Sequence, residues 1–234
     1  DVVMREVVVG FIIVAAGPVT ALDANDKQHR KLKRRSKVYS GDTLITGLAG
    51  RAQVKFKDGA VIALHENTEL SINEFQYDKG NNTTQRSFFT LLKGGFRAIS
   101  GAIGKQNADD YRVDTPLATI GIRGTHYEAV LTDVLGVAVW DGGVSLKNSG
   151  GVLDIGGNDD YRFAVVSSKS VAPEGWLVPP LGIEGGAVAP VKNEEVEKGD
   201  LEEGDLEEGE AIEGDLVEES SLEGPGENLG EDLG

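Results

Sequence analysis

Apolar and polar positions alternate over short distances through the first three-quarters of the chain, and a period of two marks half-buried strands. Val7-Val8-Val9-Gly10-Phe11-Ile12-Ile13-Val14 is a β-branched run ended by Gly17-Pro18. Arg51-Ala52-Gln53-Val54-Lys55-Phe56-Lys57 alternates, meets Asp58-Gly59 and is followed by Val61-Ile62-Ala63-Leu64, which predicts a hairpin. Leu70 to Phe75 alternates again, and Gly80-Asn81-Asn82 breaks the chain. Ser87 to Leu92 predicts another strand, stopped by Gly94-Gly95. Tyr127 to Leu131 and Val137 to Trp140 flank a short turn, and Asp141-Gly142-Gly143 reads as a second turn leading into Val144 to Leu146. Strands spaced by about 8–12 residues with turn chemistry between them predict an all-β roll, sandwich or solenoid-like stack. The best helical candidate, Gln28 to Lys37, is too charged to bury a face.

Charge divides the chain. Residues 193–234 hold 18 of its 39 acids and one of its 23 bases, so 1–192 keep 21 acids and 22 bases and are close to neutral. The acidic tail argues against nucleic acid and anionic membranes as partners. Within it Gly199-Asp200-Leu201-Glu202-Glu203, Gly204-Asp205-Leu206-Glu207-Glu208 and Gly214-Asp215-Leu216-Val217-Glu218 repeat every five residues. Such pentads read as a solubilising disordered tail, as a calcium-binding carboxylate cluster, or as a short coil similar to pentapeptide-repeat solenoids with Leu201, Leu206 and Leu216 pointing inward. Residues 173–190 form a Gly/Pro-rich connector expected to run extended across the body.

Little chemistry stands out. There is no cysteine, which excludes disulfides and thiol chemistry. His29, His65 and His126 have no metal-ligand spacing, and no serine sits in a nucleophile elbow. Gly101-Ala102-Ile103-Gly104-Lys105 has the wrong spacing for a phosphate loop, and no helix is expected after it. The longest apolar run, Val7 to Ala16, is far short of the ~20 residues that span a bilayer, so no membrane insertion is expected. The chain opens on Asp1 rather than Met, which suggests a removed or truncated leader. Lys27, Arg30, Lys31, Lys33, Arg34, Arg35 and Lys37 make a strip without an acid, read either as a solvated loop or as a docking strip for an acidic segment, such as the tail of the same or a neighbouring chain. Val2, Val3 and Val7 lie where the chain would either start its own sheet or add to the edge of a neighbour's.

Several segments in order resemble the FecR domain family. They are Val38-Tyr39-Ser40-Gly41-Asp42-Thr43-Leu44, Ala52 to Gly59, Glu66 to Leu70, Ser87 to Arg97 and, most specific, Val113-Asp114-Thr115-Pro116-Leu117-Ala118-Thr119-Ile120-Gly121-Ile122-Arg123-Gly124-Thr125. The stretch around Gly156-Gly157-Asn158-Asp159 departs from the Gly-Gln that family members often carry. The resemblance implies a mostly β domain outside the cytoplasm that works by protein contact rather than catalysis, and this chain looks like the freestanding secreted type. In the specific motif, Thr115-Pro116 reads as a strand-entry device. Arg123, between Gly121 and Gly124, reads as a guanidinium tying backbone carbonyls in a β corner, in preference to a ligand-binding arginine.

The expected fold is therefore all-β, a FecR-like roll or sandwich over 1–172, with the connector at 173–190 and the acidic tail at 191–234. The expected function is a non-enzymatic extracellular assembly subunit that self-associates into a β-rich filament. The alternative is a periplasmic signalling or ligand-sensing domain that contacts an envelope or surface protein. A carbohydrate-active enzyme with a carboxylate pair is the third reading. Calcium at the tail is the one cofactor considered.

Overall fold

The computed structural model describes residues 7–25, 27–79 and 85–184. The chain divides into two units, 1–189 and 190–234, and every described residue lies in the first. Along it run β1 (Val8–Ala16), β2 (Val19–Leu22), β3 (His29–Lys31), β4 (Lys37–Tyr39), β5 (Thr43–Thr46), β6 (Arg51–Phe56), β7 (Val61–Leu64), β8 (Glu69–Gln76) and β9 (Arg86–Ile99). A five-residue helix α1 (Ala102–Gln106) and a single 3-10 turn follow. Then come β10 (Tyr111–Asp114), β11 (Thr119–Leu131), β12 (Leu135–Asn148), β13 (Gly151–Gly156), β14 (Phe163–Val166) and β15 (Glu174–Trp176). The fold is all-β, as the alternation predicts.

All fifteen strands belong to one hydrogen-bonded sheet, which is doubled over by its longest members. The first half of β9 lies between β8 and β10, the latter parallel to it, and its second half lies between β7 and β11. In the same way β11 leaves β10 for β9, and β12 leaves β14 for β13. Each long strand thus serves two layers. The first layer runs β3-β2-β5-β8-β9-β10-β11-β12-β13, and the second runs β4-β1-β6-β7-β9-β11-β12-β14-β15.

The inward positions of both layers form a single core. Phe56 of the second layer stacks on Phe75 and meets Phe89 edge-on, with centroids 5.3 and 5.5 Å away, so aromatic contacts close the two layers on each other. The Tyr111 and Tyr127 hydroxyls bond at 2.8 Å inside this core, and burial pushes both phenols up. The pairing gives each buried hydroxyl a partner, one as donor and the other as acceptor.

The corners correct the turn readings. Neither Gly94-Gly95 nor Asp141-Gly142-Gly143 ends a strand, since β9 and β12 run through both. At the first corner the Thr68 hydroxyl donates to the Gly95 carbonyl at 2.9 Å and accepts its N–H at 3.0 Å. At the second, the register slips between Arg123 and His126, with Gly124 at φ +59° and Gly142 at +72°. A Cβ on Gly142 would collide with the Gly124 carbonyl oxygen, so the two backbones touch only because position 142 is glycine.

Two further readings are revised. Gln28 to Lys37 is not helical but strand, loop and strand, anchored by buried Leu32 and Val38. A short helix does follow Gly101, and the Asp58 carboxylate lies against its start, accepting the Ala60 N–H at 3.0 Å, where a phosphate loop would hold its anion.

Substituting Gly142 by Ala should destabilise the fold by roughly 2–4 kcal/mol, from the collision added to the left-handed φ. Gly59, also left-handed but facing open space, should lose only about 1 kcal/mol as Ala. Urea unfolding of the two variants compares these losses directly.

Candidate functional site

The specific motif Thr115 to Thr125 spans the β10–β11 turn and the corner. The Thr115 hydroxyl donates to the Ala118 carbonyl at 2.7 Å and accepts the N–H groups of Leu117 and Ala118, so Thr115-Pro116 sits in a clamped turn. Gly121 lies in the regular part of β11, opposite Ser145. Arg123 does not tie carbonyls together. It is exposed, lies over Gly143, and its guanidinium donates to Asp159 at 3.4 Å. Thr125 is buried, its N–H donating to the Ser100 hydroxyl at 2.9 Å, while its own hydroxyl has no partner among the described residues.

The N-terminal strand is not an open edge. β1 pairs with β4 on one side and β6 on the other, and the Val7 carbonyl accepts the Ser40 N–H at 3.0 Å. A groove of about 220 Å³ lies beside it, lined by Val7, Val9, Ser40, Lys57, Phe75 and Tyr77 among others. Val2 and Val3 lie outside the described residues, as do Asp200, Leu201, Asp205, Leu206, Asp215 and Leu216 with the suggested calcium site.

The basic strip separates into one structural base and an exposed remainder. Arg30 is spent internally: its guanidinium reaches both carboxylate oxygens of buried Asp42, at 2.6 and 2.7 Å, and stacks on Tyr39. Lys27, Lys31, Lys33, Arg34, Arg35 and Lys37 are exposed, and none forms an ion pair among the described residues.

Sequence reasoning missed a charged cluster on the outer face of the second layer. Arg97 of β9 and Glu128 of β11 are cross-strand partners, with His65 just beyond β7 and His126 further along β11. Residues 177–184 cross this face as a strap. Pro180 packs at Gly136, Gly182 packs at Val130, and the Glu184 N–H donates to Glu128 Oε1 at 2.8 Å. The Glu184 carboxylate pairs twice with Arg51 at 3.0 Å, which holds that carboxyl below the usual range. Beneath the strap Glu128 is only 1% exposed, with His65 Nε2 at 3.5 Å. Burial lowers the His65 pKa against the opposing pull of Glu128 and Glu184. Arg97 Nε donates to His126 Nε2 at 2.6 Å, which needs that nitrogen unprotonated; burial and then the Arg97 charge lower the His126 pKa. Among the described residues no three His, Cys, Asp or Glu side chains form a metal-binding group.

Residues 42–145, from just before β5 to the second half of β12, match the family described as FecR protein. This segment is a FecR domain. It contains all of β9 and β11 and both glycine corners, so the family pattern coincides with the strands the two layers share. A solved cell surface anchoring domain is 31% identical, covering 26% of this chain and 80% of its own, with a TM-score of 0.26. Two crystal structures of a candidate anti-sigma factor from Parabacteroides distasonis are 16% and 14% identical, with TM-scores of 0.44 and 0.43. Each match covers 56% of this chain, which spans 57% of the length of those chains. No curated protein matches. No helix among the described residues of the FecR-domain chain is long and apolar enough to cross a membrane.

Both cluster histidines have lowered pKa values in the fold, so the unfolded chain takes up their protons first as pH falls. Stability should be unaffected by them above their unfolded pKa of about 6.5 and should decline as pH drops below it. Replacing His65 and His126 together by Gln should flatten the dependence of the urea midpoint on pH between about 6.5 and 5. Glu184, held low by Arg51, should contribute its own loss only in the carboxylate range below that.

Proposed function

We propose that the chain is a non-enzymatic FecR-type signalling domain of the cell envelope, working outside the cytoplasm through contact with an envelope protein. The observation that carries this reading is the family match over 42–145, which takes in the shared strands and their corners. The surface is consistent with contact. Leu177 and Leu181, on the side of the strap away from the sheet, are 80% and 97% exposed, and neighbouring Val178 is exposed with them. Apolar side chains grouped on one surface ribbon suit a protein partner.

The family match gives no support to the filament suggested by the sequence alone. Of the devices proposed for that filament, β1 is paired on both edges, and of the basic strip Arg30 is held by Asp42 while the other bases stay exposed. The third, the acidic tail, lies outside the described residues.

The test places a photo-crosslinking residue at Leu181 in the host and follows transcription with the wild-type chain and with Leu181→Asp. The expected outcome is one crosslinked envelope protein, with a defined set of transcripts altered by the substitution while circular dichroism stays unchanged. Crosslinks only between copies of this chain would restore the filament reading. Unaltered transcription with no crosslink would overturn the signalling reading.

A further inference from the structure

The basic strip is a constructed surface, more than a solvated loop. Among the described residues β3 pairs with β2 alone. The Gln28 carbonyl accepts from Asp23 N–H and the Leu32 N–H donates to Val19, so positions 28, 30 and 32 turn their backbone groups towards β2. The alternation of an antiparallel ladder then turns the N–H and C=O groups of His29 and Lys31 the other way, towards open solvent. The loop after β3 is fixed to β1 by two bonds, Arg35 N–H to the Ile12 carbonyl at 2.8 Å and Ile12 N–H to the Ser36 carbonyl at 2.9 Å. Buried Leu32 and Val38 anchor it from below.

Two of its bases occupy backbone positions that disfavour them. Lys27 has φ +57° and Arg35 has φ +71°. The left-handed conformation costs an ordinary residue roughly 1–2 kcal/mol, and glycine or asparagine would adopt it more cheaply. Retaining bases there suits a surface whose charge has a use. No carboxylate among the described residues pairs with Lys31, Lys33, Arg34 or Arg35, since the nearby Asp42 is held by Arg30. Among the described residues the charge is therefore uncompensated, with an unpaired couple of backbone positions beside it.

We infer that β3 and its basic loop dock an extended acidic segment of a partner protein. The segment adds to the free edge of β3 at His29 and Lys31 and sets its carboxylates against Lys31, Lys33, Arg34 and Arg35. Main-chain pairing gives affinity and the charges select the partner. The backbone groups favour a polypeptide over a lipid surface, which has no use for them. This inference rests on the reading of the chain as a contact domain, and names the chemistry of its partner.

The test is a titration of the full chain, followed by amide NMR, with a synthetic peptide of alternating Glu and Val. Its Lys and Val counterpart and phosphatidylglycerol vesicles serve as comparison arms. The expected result is shifts confined to 27–37 and β2 with the acidic peptide and none with the basic one. Affinity should weaken several-fold between about 0.05 and 0.3 M salt. Arg34→Glu combined with Arg35→Glu should weaken binding at least tenfold, with unchanged circular dichroism and unchanged titration of His65 and His126. Equal binding by this variant, absence of shifts at 27–37, or vesicles engaging the same residues as strongly would overturn the inference. If the variant instead self-associates in sedimentation while the wild-type chain ignores the peptide, the bases serve only to keep sheet edges of two copies apart. A failed titration with an intact Leu181 crosslink would sink this inference and leave the signalling reading standing.

Discussion

Three strands that belong to two layers at once hold this fold together. Because β9, β11 and β12 are continuous through the bend, the layers are joined by backbone as well as by packing; β11 and β12 keep each other as neighbours while their other partners change, and β9 exchanges both of its neighbours. Such a bend must admit a change of register without leaving buried amides unpaired. At one corner the Thr68 hydroxyl meets that demand by bonding both the C=O and the N–H of Gly95; at the other the missing Cβ of Gly142 lets the bent backbones approach at Gly124. The core follows from it. Once the sheet is doubled, inward residues of each strand face inward residues of the other layer, and Phe56 can reach both Phe75 and Phe89.

The alternation in the sequence carries the strands, because exposure on one face and burial on the other is a local property of each. β6 and β7 form the hairpin predicted by Asp58-Gly59, and β8 and the first part of β9 lie where the pattern sets them. The corners were misread for a physical reason. Gly94-Gly95 and Asp141-Gly142-Gly143 have the same residue chemistry as turns, and only pairing with distant strands decides whether a chain reverses or bends there. In the basic segment, read as a solvated loop or a docking strip, the charges hide the spacing of Leu32 and Val38, the two residues that fasten it to the core. For Arg123 the flanking glycines suggested close backbone approach, which does occur, but between Gly124 and Gly142 rather than around the guanidinium.

The strapped cluster was beyond reach of the sequence because its members come from the end of β7, from β9 and β11, and from residue 184. One local signal was present. Alternation puts Glu128 on the outward face of β11, where a carboxylate is unremarked, yet it is buried because a segment more than fifty residues away lies over it.

The two charged regions differ in what the chain has done with their charge. At the strap, the ion pair of Arg51 with Glu184 is about half exposed, so solvent screens it and it holds the strap only weakly. The firmer attachments are the Glu184 N–H to the buried Glu128 carboxylate, at 2.8 Å shorter than the 3.5 Å to His65 Nε2, and the packing of Pro180 at Gly136. Burying Glu128 is tolerable only while that donor stays in place, so the strap and the carboxylate depend on each other. At the β3 edge no described residue covers the bases in this way, and the left-handed Lys27 and Arg35 maintain them at a cost in backbone energy. The second layer has thus closed its outer face with its own chain, whereas among the described residues the first layer leaves an edge both unpaired and charged. A partner reaching for the buried Glu128 would have to displace the strap, while one meeting the outward Leu181 or the β3 edge displaces no contact among the described residues.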